Sequence, residues 1–192
     1  LDLDKCVGCG ACVVACRIEN EVPGGLAWRK ILTLNPARYE GGPTYHLSLA
    51  CHHCQDPPCR NACPTAALEK RPDGVVLLHA DRCVGCRYCE MACPFDAPAY
   101  DARSGVMTKC HLCYHRLDQG LGPACVEACP TAALGFEERE HRNPDAPVPG
   151  FVDPAVAGPA IRFTLPGGGL RWERLERLRT VLAGEEESHG RG

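Results

Sequence analysis

The chain is poor in the residues that usually build a protein interior. Aromatic side chains make up 6% of it and methionine occurs twice, so large buried rings cannot carry the fold as they do in most domains. Apolar runs are short, and none approaches the roughly 20 residues that a bilayer-spanning helix needs. No transmembrane helix is therefore expected in this chain. One-sided charge is missing as well: 21 Lys and Arg face 24 Asp and Glu, a formal charge of −3, which gives no basic surface of the kind that binds nucleic acid. No secretory leader is visible ahead of the first motif.

What the chain has instead is turns and thiols. It holds 20 glycines and 17 prolines, which favours short elements over long helices. It also holds 16 cysteines among 192 residues, the density of a stapled scaffold. Cysteine is counted in the 45% hydrophobic fraction, so the aliphatic core is leaner than that figure implies. Loop-rich chains with lean cores need staples to offset conformational entropy. Disulfides, zinc and iron–sulfur clusters are the three candidates.

The cysteines fall into four groups of four with none left over: Cys6, Cys9, Cys12, Cys16; Cys51, Cys54, Cys59, Cys63; Cys83, Cys86, Cys89, Cys93; and Cys110, Cys113, Cys125, Cys129. Groups one and three share CVGC followed by CxxxAC. Groups two and four share Cx3CPTAAL, identical from Cys63 to Leu68 and from Cys129 to Leu134. The chain thus reads as a duplicated two-motif unit.

Residues 1–5 read as the end of a strand, and the spacing in 12–19 permits one or two helical turns before Pro23, Gly24 and Gly25. Alternation in 44–49 (TYHLSL) predicts a strand. Hairpins are predicted at Pro72, Asp73 and Gly74 and at Ser104 and Gly105. Beyond Glu138 the Pro- and Gly-rich stretch 140–169 predicts an irregular arm. Leu170 to Ala183 reads as an amphipathic docking helix with Trp172, Leu175, Leu178 and Leu182 on one face, followed by an acidic tail.

C-x2-C-x2-C-x3-C-P is the bacterial ferredoxin run for [4Fe–4S] clusters, and its fourth cysteine serves the other cluster of a pair. Group three matches in full through Pro94; group one carries Arg17 where the proline would be. Three thiolates at such intervals on a tight loop wrap three corners of a cubane. The fourth, expected at the start of a helical turn, points toward a second. Zinc prefers two CxxC pairs separated by a longer span, and cysteines three apart on a tight loop are awkward disulfide partners. Clusters are therefore the expected staple. Spacing leaves two pairings open. Groups two and three, joined by one hairpin, suit a lobe nested inside groups one and four; pairing one with two and three with four is the alternative.

With KCHLCYHRLDQGLGPACVEACPTAAL at 109–134 and CHHCQDPPCRNACPTAAL at 51–68, residues 1–138 resemble the four-cluster iron–sulfur subunit of the molybdopterin oxidoreductase (dimethyl sulfoxide reductase) superfamily, most closely the polysulfide and thiosulfate reductase type. The resemblance implies an α+β fold of two bacterial-ferredoxin-like lobes, each with two [4Fe–4S] clusters. One lobe would be 1–44 with 97–138, the inserted lobe 45–96, and 139–192 the arm, helix and tail. It implies nested ligand sets: Cys6, Cys9, Cys12 and Cys129 for cluster 1; Cys110, Cys113, Cys125 and Cys16 for cluster 2; Cys51, Cys54, Cys59 and Cys93 for cluster 3; Cys83, Cys86, Cys89 and Cys63 for cluster 4. Some relatives carry tryptophan where Cys86 stands, so four complete cubanes are expected here.

The same resemblance implies a non-catalytic electron-transfer subunit of a respiratory complex. It would work between a molybdopterin-containing catalytic subunit, on the side of clusters 1 and 2, and an integral, quinone-reactive membrane subunit on the side of clusters 3 and 4. The expected location is peripheral, at the periplasmic face, held to the membrane through the partner. The equivalent subunit of a multihaem nitrite reductase or hydrogenase complex is a rival, as is a freestanding polyferredoxin. With four thiolates per cluster, His52, His53, His111 and His115 are expected to pack or be solvated rather than to ligate iron. Lys5, Arg87 and Lys109 are candidates for offsetting cluster charge, with simple solvation the expected fate of most.

Overall fold

A computed structural model of the chain describes residues 1–34, 44–138 and 156–165. Its elements are short, as the glycine and proline content requires. In chain order they are α1 (Ala11–Glu19), β1 (Lys30–Leu34), β2 (Tyr45–Leu49), α2 (Pro58–Asn61), β3 (Leu68–Lys70), β4 (Val76–Leu78), α3 (Tyr88–Ala92), β5 (Ala99–Asp101), β6 (Val106–Thr108), α4 (Tyr114–Leu117) and α5 (Ala124–Glu127), with one 3-10 turn at Ala80–Arg82. The strands form three separate antiparallel pairs, β1–β2, β3–β4 and β5–β6, giving a small mixed α and β structure.

Both turn signals act as expected. Asp73 Oδ1 accepts from the Val75 N–H at 3.1 Å beside Gly74 at φ 88°, closing β3 on β4 with Leu68 opposite Leu78. Asp101 accepts from the Arg103 N–H at 3.0 Å and the Ser104 hydroxyl at 2.8 Å, closing β5 on β6. The alternating segment at 44–49 is β2; its partner β1, which no turn signal announced, runs in register from Lys30 opposite Leu49 to Leu34 opposite Tyr45. Residues 1–5 differ from expectation. Asp2 makes a single parallel bridge to Thr164, and its carboxylate accepts from the N–H groups of Asp4 and Lys5, which turns the chain before a strand can form.

Among the described residues three apolar clusters replace one large core. Leu68, Val76 and Met107 pack with Cys59 and Cys89, flanked by Cys63, Leu78, Cys83 and Tyr100. Leu3, Tyr45 and Leu47 pack together with Leu34 and Phe163 at their edge. Cys12, Cys16 and Cys125 pack between α1 and α5, flanked by Trp28, Ile31 and Leu134. The thiols are thus core residues, as the lean aliphatic content demands. Met107 and Tyr100 place the β5–β6 hairpin against groups two and three, and the β1–β2 pair lies against residues 1–3.

Of the expected arm, 156–165 is described and is strapped down. The N–H groups of Gln55 and Asp56 donate to the carbonyls of Gly158 and Ala157 at 2.7 and 3.2 Å, and Ala160 N–H donates to His52 O at 2.8 Å. Thr164 exchanges bonds with Leu1 and Leu3 at 2.8 and 3.1 Å. The segment thereby ties the second cysteine group to the beginning of the chain. The rest of the arm, the Leu170 to Ala183 helix and the acidic tail lie outside the described residues. Among the described residues no helix is long and apolar enough to cross a membrane.

Candidate metal centres

Each cysteine group opens on the same backbone device. The residue just before the second cysteine has a left-handed backbone: Gly8 at φ 68°, His53 at 45°, Gly85 at 68° and Leu112 at 57°. This reverses the chain between the first and second cysteines of each group. In groups one and three the reversal needs glycine for a further reason. A Cβ on Gly8 would meet the His46 ring at 2.7 Å, and one on Gly85 would meet the Gly105 carbonyl at 2.3 Å. His53 and Leu112 hold the same conformation as non-glycine residues, at a strain of order 1 kcal/mol or more each.

Short helices carry the third cysteine of every group: Cys12 in α1, Cys59 in α2, Cys89 in α3 and Cys125 in α5. The spacing predicts the fourth cysteine at the start of a helical turn, and the structure differs. Cys16 lies inside α1, Cys93 caps the end of α3, and Cys63 and Cys129 follow the ends of α2 and α5. The turn between the third and fourth cysteines is what swings the fourth away. The identical CPTAAL segments then bend alike at their alanines. Ala66 and Ala132 take φ 52° and 50°, and the hydroxyls of Thr65 and Thr131 lie 3.7 and 3.8 Å from the sulfurs of Cys63 and Cys129.

Two recesses are ringed by thiols. One is lined by Cys6, Cys9, Cys12 and Cys129 together with Ile31, Ser48 and Leu134. The other is lined by Cys51, Cys54, Cys59 and Cys93 with Phe95, Val76 and Lys109. Around these, Asn20 Nδ2 lies 3.6 Å from Cys113 Sγ and 3.9 Å from Cys16 Sγ, and Cys16 packs on Cys125. Cys63, Cys83 and Cys89 share one apolar cluster. Cys110 is buried, whereas Cys9 and Cys86 are the exposed cysteines of the sixteen. Among the described residues no three His, Cys, Asp or Glu side chains converge closely enough to hold a single metal ion. The thiols stand around spaces instead of points.

Burial pushes the thiols up. Cys16 reaches about 11, with Cys125 and Cys113 adding to the effect of burial, and Cys89 about 11. Cys54, Cys59 and Cys110 reach about 12. Such groups hold their protons until a metal displaces them. Cys63 and Cys129 go the other way: burial opposes it, but hydrogen bonds win. These come from Thr65, Ala67 and Leu68 to Cys63, and from Leu134, Thr131 and Ala133 to Cys129. Backbone N–H groups also reach sulfur from Ala67 to Cys63 at 3.3 Å, from Met107 to Cys83 at 3.4 Å and from Leu112 to Cys110 at 3.4 Å. Donors aimed at sulfur are what a metal-bound thiolate requires.

The histidines beside the motifs pack. His52 is buried with its ring edge-on to Phe95 at 4.7 Å, and burial, then the Arg29 charge, pulls it down to about 3. His53 Nδ1 accepts from the Val76 N–H at 2.9 Å, so its proton sits on Nε2, a buried atom with no partner among the described protein atoms. Arg29 Nε is a second such donor. Buried N–H groups lacking a protein acceptor, beside rings of thiols, fit an anionic sulfur-rich group. His111 stacks edge-on against Trp28 and Tyr114, and His115 pairs with Glu19 at 2.8 Å.

The three candidate cations separate cleanly. Lys5 is exposed and pairs with Asp2 at 3.2 Å; Arg87 is exposed and pairs with Glu90 at 2.7 Å. Lys109 is buried, 3% exposed. Arg29 and Ser48 escaped sequence reasoning. Arg29 Nη1 donates to Ser48 O at 3.2 Å and Ser48 Oγ at 3.0 Å, and Ser48 Oγ lies 3.2 Å from Cys12 Sγ. No motif marks either residue, because β1 and β2 bring them to the thiols.

Comparison with known proteins agrees with this geometry. A 4Fe-4S dicluster domain matches residues 43–139 and a 4Fe-4S binding domain matches residues 1–19. A chain of the anaerobic dimethyl sulfoxide reductase of Haemophilus influenzae is 42% identical over 149 residues, 70% of each protein. A tetrathionate reductase subunit of Salmonella typhimurium is 43% identical over 132 residues, 67% of this chain and 52% of that one. The thiosulfate reductase electron transfer subunit of Salmonella typhi is 39% identical over 138 residues, 70% of this chain and 72% of its own. The folded unit is ferredoxin-like and binds [4Fe–4S] clusters. The chain belongs to the 4Fe-4S dicluster proteins that serve as iron–sulfur, electron-transfer subunits of the molybdopterin oxidoreductases.

Proposed function

We propose that the chain carries four [4Fe–4S] clusters in a row, has no substrate site of its own, and passes single electrons between a molybdopterin-containing catalytic subunit and a quinone-reactive integral membrane subunit. The proposed ligand sets are Cys6, Cys9, Cys12 and Cys129; Cys110, Cys113, Cys125 and Cys16; Cys51, Cys54, Cys59 and Cys93; and Cys83, Cys86, Cys89 and Cys63. When bound, each cluster takes up and releases one electron at a time. The sets form two nested ferredoxin-like lobes. The inner lobe is 45–96, and 1–44 with 97–138 form the outer one.

The observation that carries this reading is the way thiols of successive sets approach one another. Cys12 of the first set packs with Cys16 and Cys125 of the second. Cys110 of the second lies within electrostatic reach of Cys51 of the third. Cys59 of the third packs with Cys89 of the fourth. That gives a linear order with the exposed Cys9 near one end and the exposed Cys86 near the other. Exposed apolar side chains flank both: Val7, Val14 and Ile18, the last 73% exposed, on the first side; Val84, Tyr88 and Met91, the last 72% exposed, on the second. These ends are where the catalytic and membrane partners dock, by the analogy of the reductase subunits it resembles, with the assembly held at the periplasmic face. Protein around the sulfurs supplies N–H donors and excludes water, which sets the potentials.

The test is copurification from the native membrane with metal analysis. About sixteen irons per chain, as four clusters require, and a molybdenum-containing partner are expected. Haem in place of molybdenum, or a stable free chain, would sink the partner assignment. Zinc without sulfide would sink the clusters.

A further inference from the structure

An ammonium group buried without a carboxylate is costly unless other anions or acceptors surround it. Lys109 is in that position. Its Nζ donates to Cys110 O at 2.8 Å, donates to Val76 O, and lies 3.8 Å from Cys51 Sγ. The three donors of a lysine ammonium thus have three acceptors, and among the described ion pairs none gives Lys109 a carboxylate. Cys110 belongs to the second proposed ligand set and Cys51 to the third, so the charge stands where the two lobes meet.

We propose that Lys109 is a fixed positive charge shared by the second and third clusters, a positioning residue that raises the reduction potential on both sides of the lobe boundary. The inference rests on the four-set reading above. A cluster held by four thiolates is anionic, about −2 when oxidised, and one electron more makes it more so. A cation a few ångströms away in a poorly polarisable interior stabilises that added electron. Because Lys109 sits between two sets, it favours the electron on either side. One electron leaves one set as the other is reduced, and the lysine gains and loses nothing.

Arg29 supplies an internal comparison. It faces Cys12 of the first set and Cys16, Cys110 and Cys125 of the second, whereas Cys59 and Cys89, at the third boundary, meet among Leu68, Val76 and Met107. Cations therefore stand at the first two boundaries and apolar side chains at the third.

The experiment is potentiometric titration, followed by electron paramagnetic resonance, of the cluster-loaded chain in the complex with which it copurifies. Parent, Lys109→Gln, Lys109→Arg and Arg29→Gln proteins are compared, with iron and sulfide counted in each. Lys109→Gln is expected to lower two of the four components. At their parental midpoints the reduced-to-oxidised ratio falls about tenfold, ~59 mV for a one-electron couple. Lys109→Arg restores them. Arg29→Gln should move one of the same two components and one other. Unchanged potentials, or four components shifting alike, overturn the inference. Iron lost from the Gln variant but kept in the Arg variant supports a need for the charge. Iron lost from both overturns it, because shape and not charge would then be at stake. A parent chain with far fewer than sixteen irons defeats the four-cluster reading instead.

Discussion

Arg71 and Asp118, 47 positions apart, close on each other through two parallel hydrogen bonds, 2.6 Å from Nη2 to Oδ1 and 3.1 Å from Nη1 to Oδ2. Arg71 leaves the end of β3 and also pairs with Asp73 at 2.9 Å; Asp118 follows α4. The contact clamps the β3–β4 hairpin to the fourth cysteine group, with the guanidinium also lying 5.7 Å from the centre of the Tyr114 ring.

This clamp has a definite pH dependence. The hydrogen bond from Arg71 holds the Asp118 carboxyl below its usual 3.8. Its folded pKa lies under its unfolded one, so the contribution is complete above about pH 4 and is lost as pH falls through the lowered value. Both side chains are partly solvated, so the effect is small. Arg71→Gln should unfold at a lower temperature than the parent at neutral pH, and the gap should narrow as the pH falls below about 4. A gap of equal size at pH 7 and pH 3 would remove the carboxylate from the explanation.

Gly85 and Gly8 occupy equivalent loops, yet they should not respond equally to alanine. Both incur the left-handed penalty of about 1–2 kcal/mol. The new methyl at 85 meets a backbone carbonyl, whereas at 8 it meets the His46 ring, and a side chain can turn aside. Gly85→Ala is expected to cost more thermal stability and more iron than Gly8→Ala. Equal losses would mean that the φ angle alone matters.

Leu3 is 1% exposed among Tyr45, Leu47 and Phe163, where the strap at 156–165 meets the beginning of the chain. Leu3→Ala should cost about 2–5 kcal/mol, measured by denaturant unfolding of the cluster-loaded protein. Hydrogen exchange at Leu3 and Thr164 should accelerate with it.

Cys16→Ser and Cys125→Ser should disturb the same one of the four resonance signals, because both residues belong to one proposed set. Cys6→Ser and Cys129→Ser should disturb another. If Cys16→Ser affected the signal sensitive to Cys6 and spared the one sensitive to Cys125, nesting would give way to self-contained groups.

Much of the structure could be read along the chain. Gly74 and Gly105 announce hairpins through φ angles that glycine adopts freely, and the alternation of 44–49 gives β2. Equal CPTAAL segments bend equally because the bend comes from their own N–H groups and threonine hydroxyls. Other features were hidden for equally physical reasons. β1 carries no turn signal and is a strand only because β2 pairs with it. Lys109 looks like any lysine until its neighbours are known, since burial belongs to the surroundings and not to the residue.

By itself the sequence determined the thiol chemistry, the four loops and the turns between them, because these depend on residues a few positions apart. The tertiary structure decided which distant cysteines come to lie beside these loops: Cys129 lines the recess of Cys6, Cys9 and Cys12, and Cys93 that of Cys51, Cys54 and Cys59. It also decided that Lys109 is buried and Arg29 half-buried beside the thiols while Lys5 and Arg87 stay in water. Spacing controls local wrapping, but how strongly a charge acts depends on distance and on the water around it. Both are set only when segments far apart in the chain have packed together.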